Sequence, residues 1–101
     1  MFCVIWQFRV KPHRLEEFVA HYSAKGSWAQ LFARSSEYQG TELLRDALNP
    51  LVFVTIDRWK SQVAFNVFKN EFAADYRQLD RECESLTEQE QNIGCYHTDR
   101  E

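Results

Sequence analysis

Glycine is scarce in this chain, and its three residues, Gly26, Gly40 and Gly94, stand isolated. Phosphate-cradling loops depend on clustered glycines whose backbone amides approach the anion, so nucleotide binding of that kind is excluded. The Gly-x-Ser-x-Gly elbow of serine hydrolases is missing as well. No run approaches the roughly 20 apolar residues of a membrane span, and no basic block accumulates. Lys and Arg number 12 against 15 Asp and Glu, for a net charge of −3. Neither nucleic acid nor a membrane is therefore expected as a partner. The cysteines, Cys3, Cys83 and Cys95, are odd in number and widely spaced. The amino-terminal stretch MFCVIWQFRV lacks the basic flank and small-residue cleavage site of an export signal. The expectation is a reduced, cytoplasmic protein. Cys95 and His97 share a strand face, but two ligands are too few for zinc, so no metal site is expected.

Aromatic side chains are what the sequence has in plenty. They make up 15% of 101 residues, and eight of them are phenylalanine. The length suits a single domain covering residues 1–101. So much large apolar surface in so small a domain points to a cavity or an interface.

The apolar pattern orders the elements. Phe2 to Val10 alternates as a strand, with Phe2, Val4, Trp6, Phe8 and Val10 on one face. Pro12 suits a first helical turn. Leu15, Phe18, Val19 and Tyr22 then recur at helical spacing, and Trp28, Leu31 and Phe32 resume it after Gly26. A second strand is expected over Glu37 to Arg45, with Gly40 as a bulge. A turn follows over Asp46 to Pro50, and a third strand over Leu51 to Trp59. Ser61 is placed to cap a helix whose apolar stripe runs Phe65, Phe68, Phe72, Tyr76, Leu79, Cys83. Asn92 to Thr98 reads as a short fourth strand, with Asp99 to Glu101 frayed.

This order is the α+β, ferredoxin-like βαββαβ arrangement: a four-stranded antiparallel sheet with helices on one face. The first and third strands are central, and the first pairs with the fourth, which brings Cys3 and Cys95 onto neighbouring strands. Both faces of the central strands are apolar. Cys3 and Ile5 lie opposite the main face of the first. The third carries Val52, Val54 and Ile56 on one side, with Leu51, Phe53 and Trp59 on the other. An apolar face left in water costs about 25 cal/mol per Å2, so a homodimer packed through the open sheet face is expected.

The stretch GTELLRD, the turn at Asn49–Pro50, VFVTIDRWKS with its Trp-x-Ser ending, and the Ala64–Phe65 pair resemble the antibiotic biosynthesis monooxygenase (ABM) family of dimeric α/β barrels. The resemblance in element order covers almost the whole chain. It implies one of several roles: a cofactor-independent monooxygenase acting on aromatics, a haem-degrading monooxygenase, or a domain of other role. The haem branch is disfavoured. Its strand asparagine, helix tryptophan and axial histidine match Gln7 or a neighbour, Phe68 and Gln78 here, and the second helix holds no histidine.

The cofactor-independent branch implies a phenol-, anthrone- or quinol-like substrate reacting with O2, without metal or flavin. Such a site needs a dry pocket, a proton acceptor and a donor for the oxyanion. His21 and Gln7 are the candidate catalytic residues. The plain alternatives are a helix-surface histidine and a structural or interfacial glutamine. Tyr22, Trp28, Phe32, Phe65, Phe68, Phe72 and Tyr76 are the candidate substrate-binding residues, with ordinary core packing as their alternative. Asp57 and Arg58 read as a surface ion pair. A small apolar or aromatic ligand, a non-catalytic binding module and a purely structural homodimer all remain consistent with this sequence.

Overall fold

The computed structural model describes residues 1–99. Strand β1 spans Phe2–Val10, helix α1 Leu15–Tyr22, helix α2 Ser27–Phe32, strand β2 Tyr38–Arg45 and strand β3 Val52–Trp59. Helices α3 (Gln62–Glu71) and α4 (Ala73–Cys83) follow, and strand β4 spans Thr87–His97. Short 3-10 turns at Pro12–Arg14 and Glu84–Leu86 lead into α1 and β4. The strands form one antiparallel sheet in the order β2-β3-β1-β4. This is the ferredoxin-like α+β fold expected from the apolar pattern, with β1 and β3 at the centre. Among the described residues no helix is long and apolar enough to cross a membrane.

Register decides what each face carries. Phe2 pairs with Trp59, Trp6 with Thr55 and Phe8 with Phe53, which puts these side chains under the helices. Trp59, Phe18, Phe68, Leu86, Val10 and Cys83 are the most deeply buried residues. Their rings interlock tightly. Phe18 stacks on Tyr22 at 4.3 Å and 12°, and Trp59 meets Phe68 at 5.1 Å and Phe32 at 5.5 Å. The α1–α2 junction depends on Gly26. A β-carbon there would lie 2.6 Å from the carbonyl oxygens of Ala20 and His21, so only glycine allows the two helices to join this closely.

Local chemistry sets the boundaries. The Ser61 hydroxyl accepts the Ala64 amide at 3.1 Å and caps α3. Asp46 closes the β2–β3 turn by accepting the amides of Leu48 and Asn49, each at 2.8 Å. Those bonds hold its carboxyl below the usual range. Gly40 has φ +118° at the irregularity between Tyr38 and Gly40, the bulge expected there.

Two expectations need correction. Strand β4 begins at Thr87, not Asn92. Its first half, TEQEQ, offers no apolar alternation, because an edge strand is held by backbone bonds to β1 and can keep polar side chains. The single long helix is two, broken at Phe72 (φ −109°, ψ 29°). Its apolar stripe stays continuous because Phe72 N–H bonds to Phe68 O and Tyr76 N–H to Phe72 O. Cys3 and Cys95 are on adjacent strands, but Cys3 pairs with Tyr96 and Val4 with Cys95. The two thiols therefore point to opposite faces, and all three cysteines are free. Of the fraying expected at the carboxyl end, residues 100–101 lie outside the described residues.

Candidate active-site cavity

Between sheet and helices lies a cavity with about 490 Å3 of empty space, part of it open to solvent. Trp6, Phe8, Tyr22, Trp28, Phe32 and Tyr76 supply its aromatic wall. Thr41, Thr55, Asp57, Asp80 and Glu90 supply the polar groups. All four strands contribute, together with α1, α2 and α4.

Asp57 is the group that reasoning from sequence missed. It pairs with Val4 and with Thr41 across the sheet, so its carboxyl faces inward, while Arg58 turns to the other face and bonds Glu42 at 2.6 Å. The expected Asp57–Arg58 surface pair does not form, because successive strand residues point to opposite sides. The Thr41 hydroxyl donates to Asp57 Oδ1 at 2.6 Å, and the Tyr38 hydroxyl lies 2.5 Å from Thr41 Oγ1. Since Thr41 gives its one proton to the carboxylate, Tyr38 donates to Thr41. Burial pushes the Asp57 carboxyl from 3.8 up to about 6, against the opposing effect of the Thr41 bond.

The two neighbouring tyrosines stay protonated. Burial, reinforced by Asp80, Asp57 and Glu90, pushes the Tyr76 hydroxyl up to about 12. Burial also raises Tyr22 well above the usual phenol range. Glu90, whose carboxylate accepts from Thr87 Oγ1 at 3.3 Å, is likewise raised by burial. The buried Trp28 indole lies near the Tyr22 hydroxyl and Cys83 Sγ, but its Nε1–H makes a hydrogen bond with neither. An unmet buried donor is costly, and this one stands in the cavity wall.

The sequence-derived candidates divide. Tyr22, Trp28, Phe32 and Tyr76 converge on the cavity. Phe65, Phe68 and Phe72 lie outside it. Phe65 packs on Phe2 and Trp59, Phe68 on Trp59 and Phe32, and Phe72 on Phe68 beneath the Arg34 guanidinium. Helical spacing gave these three the right stripe, but the stripe is long enough to serve core and cavity separately. His21 is not a lining residue; its Nδ1 is 2.8 Å from Ser27 Oγ, at the α1–α2 junction. Gln7 lies on the opposite sheet face, in a groove with Arg9, Val52, Gln89 and Gln91. The signal for Asp57 was present in the sequence: a carboxylate on the same strand face as Phe53 and Trp59. Among the described residues no cluster of three or more His, Cys, Asp or Glu is placed to hold a metal.

The model of the family described as antibiotic biosynthesis monooxygenase matches residues 1–75. The chain belongs to the ABM family. Solved structures agree in fold. A candidate antibiotic biosynthesis monooxygenase from Nitrosomonas europaea superposes with TM-score 0.71 at 16% identity, covering 98% of this chain and 99% of that one. SnoaB, a cofactor-independent oxygenase from Streptomyces nogalater, superposes in a mutant form with TM-score 0.72 at 19% identity, covering 99% and 94%. A candidate family member from Bordetella bronchiseptica gives 0.72 at 20% identity, covering 96% and 95%. No curated protein matches the sequence. At these identities the likeness to other ABM proteins is one of fold.

Proposed function

We propose that this ABM-family protein is a cofactor-independent monooxygenase that oxidises a small electron-rich aromatic, of phenol, anthrone or quinol type, with O2. The observation that carries the reading is a half-buried carboxyl with a pKa near 6, facing a cavity with an aromatic wall whose other two carboxyl residues, Asp80 and Glu90, are exposed. Such a group is ionised at neutral pH and remains basic enough to take a proton. Asp57 removes a proton from the ring hydroxyl or the activated carbon. The resulting anion reduces O2 and combines with it. One oxygen atom stays on the carbon, and the other leaves as water with two hydrogens from the substrate. Thr41 and Tyr38 fix the carboxylate, and the protonated Tyr76 hydroxyl donates to the developing oxyanion. His21 and Gln7, which do not line the cavity, take no part.

Oxygen uptake with a phenol, a hydroquinone and an anthrone tests this, in chelator-treated buffer against heat-inactivated protein. Expected is consumption proportional to protein concentration, with at least one probe, rising through an apparent pKa of about 6. Uptake at the background rate with all three would overturn the enzyme reading and leave a binding or structural domain.

The active form is a homodimer joined through the open sheet face. Leu44, Ile93 and Tyr96 stand 44%, 43% and 49% exposed, around the half-buried Ile5, Val54 and Ile56. Specific interfaces bury on the order of 800 Å2 per partner, the area that pairing through this face would have to cover. Sedimentation is expected to give twice the chain mass, and Val54→Lys, placing a charge at the centre, is expected to give the chain mass. A wild-type monomer at micromolar concentration would refute the interface.

A further inference from the structure

The charge lining the cavity has one sign. Asp57, Asp80 and Glu90 face it from β3, α4 and β4, and among the described residues no lysine, arginine or histidine lines it. The negative field is felt across the space. The carboxylates of Asp80, Asp57 and Glu90 act on Tyr76, Glu90 acts on Tyr22, and Asp80 and Glu84 act on Glu90. Two cations outside the lining make contacts of their own. Lys69 Nζ lies 5.1 Å from the Tyr76 ring centroid and 5.4 Å from that of Phe65, which does not line the cavity, and Arg34 bonds Asp75 at 2.8 Å. The carboxylates also sit at two ends. Asp57 lies beside Val4 and Glu90 beside Phe8, on opposite sides of β1, so four residues, roughly 14 Å at ~3.4 Å each, separate them along the strand direction. Aromatic faces lie between.

We infer that the cavity takes an aromatic ligand bearing a basic amine, its ring among Phe8, Trp28 and Phe32 and its ammonium at Asp80 and Glu90. Ring faces attract a cation through their quadrupole, and two carboxylates complete its solvation. Thr87 holds one of them in place. An anionic ligand meets repulsion from the same groups with no cation among the lining residues to offset it. The other end then presents the ring substituents to Asp57. The inference names the substrate class of the site proposed above and rests on that reading of the cavity. Its test uses probes that do not turn over, so binding and oxidation can fail separately.

Isothermal titration calorimetry of the intact protein with 2-(1-naphthyl)ethylamine, 2-(1-naphthyl)ethanol and 1-naphthylacetate at pH 7.5 compares one ring with three charges. Expected is binding of the amine at least fivefold tighter than the alcohol, with the carboxylate weakest. The paired variant Asp80→Asn with Glu90→Gln changes exposed residues isosterically, so it is suited to fold, and it should abolish the amine preference. Circular dichroism matched to wild type confirms that the fold is retained; if it is not, Glu90→Gln alone should reduce the preference at least twofold. A preference under fivefold, a preference that survives the substitutions, or no binding of any probe up to millimolar concentration would overturn the inference.

Discussion

Replacing Asp57 with asparagine should lower oxygen consumption by about 10²–10⁴-fold, the range that positioned acid–base groups supply, and at the same time make the protein more stable at neutral pH. The second effect follows from linkage. The folded carboxyl titrates near 6 rather than 3.8, so between those values the native state holds a proton that the unfolded chain has released. Stability is therefore fully present below about pH 3.8 and is lost as pH rises through about 6. At 1.36 kcal/mol per pH unit, this single group costs about 3 kcal/mol at pH 8. Asparagine keeps the shape and the Thr41 partner without the charge. Urea denaturation of both proteins at pH 4 and pH 8 checks it: the variant should gain stability relative to wild type only at the higher pH. Equal stability at both would show that the carboxyl is not desolvated. His21→Ala is the companion control, and its turnover should be unchanged.

The second large effect is structural. Phe18 is 0% exposed and touches Phe8, Tyr22 and Phe53 at 5.3, 4.3 and 5.1 Å between centroids. Phe18→Ala removes a full ring from a site where three elements, α1, β1 and β3, meet and little can collapse into the space. A loss of about 3–5 kcal/mol is expected, a large part of the 5–15 kcal/mol that holds a domain together. Thermal unfolding should shift down by more than ~10 °C. Because Phe18 backs Tyr22, the cavity wall should loosen as well, and any residual folded protein should bind ligand more weakly. Leu48→Ala, at a position 95% exposed in the β2–β3 turn, should stay within about 0.5 kcal/mol of wild type. A loss below 1 kcal/mol at Phe18 would mean that the core repacks freely.

The fold was legible wherever burial imposes a period. The alternation in Phe2–Val10 and the helical stripe through Phe65 and Cys83 are direct imprints of what each side chain faces. The early start of β4 was not legible, because an edge strand is held by its backbone, and Thr87 to Gln91 carry side chains suited to water. The break at Phe72 left no mark, since the stripe runs through it. For the site, aromatic residues could be found but not sorted, as Phe68 and Phe32 follow the same spacing with different neighbours. Asp57 was obscured by the adjacent Arg58, a pairing that looks natural along a sequence. Strand geometry forbids it.

The family match stops at residue 75, and the cavity straddles that point. Asp57, Thr41 and Tyr38 precede it, while Tyr76, Asp80 and Glu90 follow. Asp57, the base proposed above, is thus drawn from the portion that the family model covers, and Asp80 and Glu90 from the portion beyond it. Exchanging the segment from Asp80 to the end of β4 would change the charge facing the cavity while leaving Asp57 and Tyr76 in place.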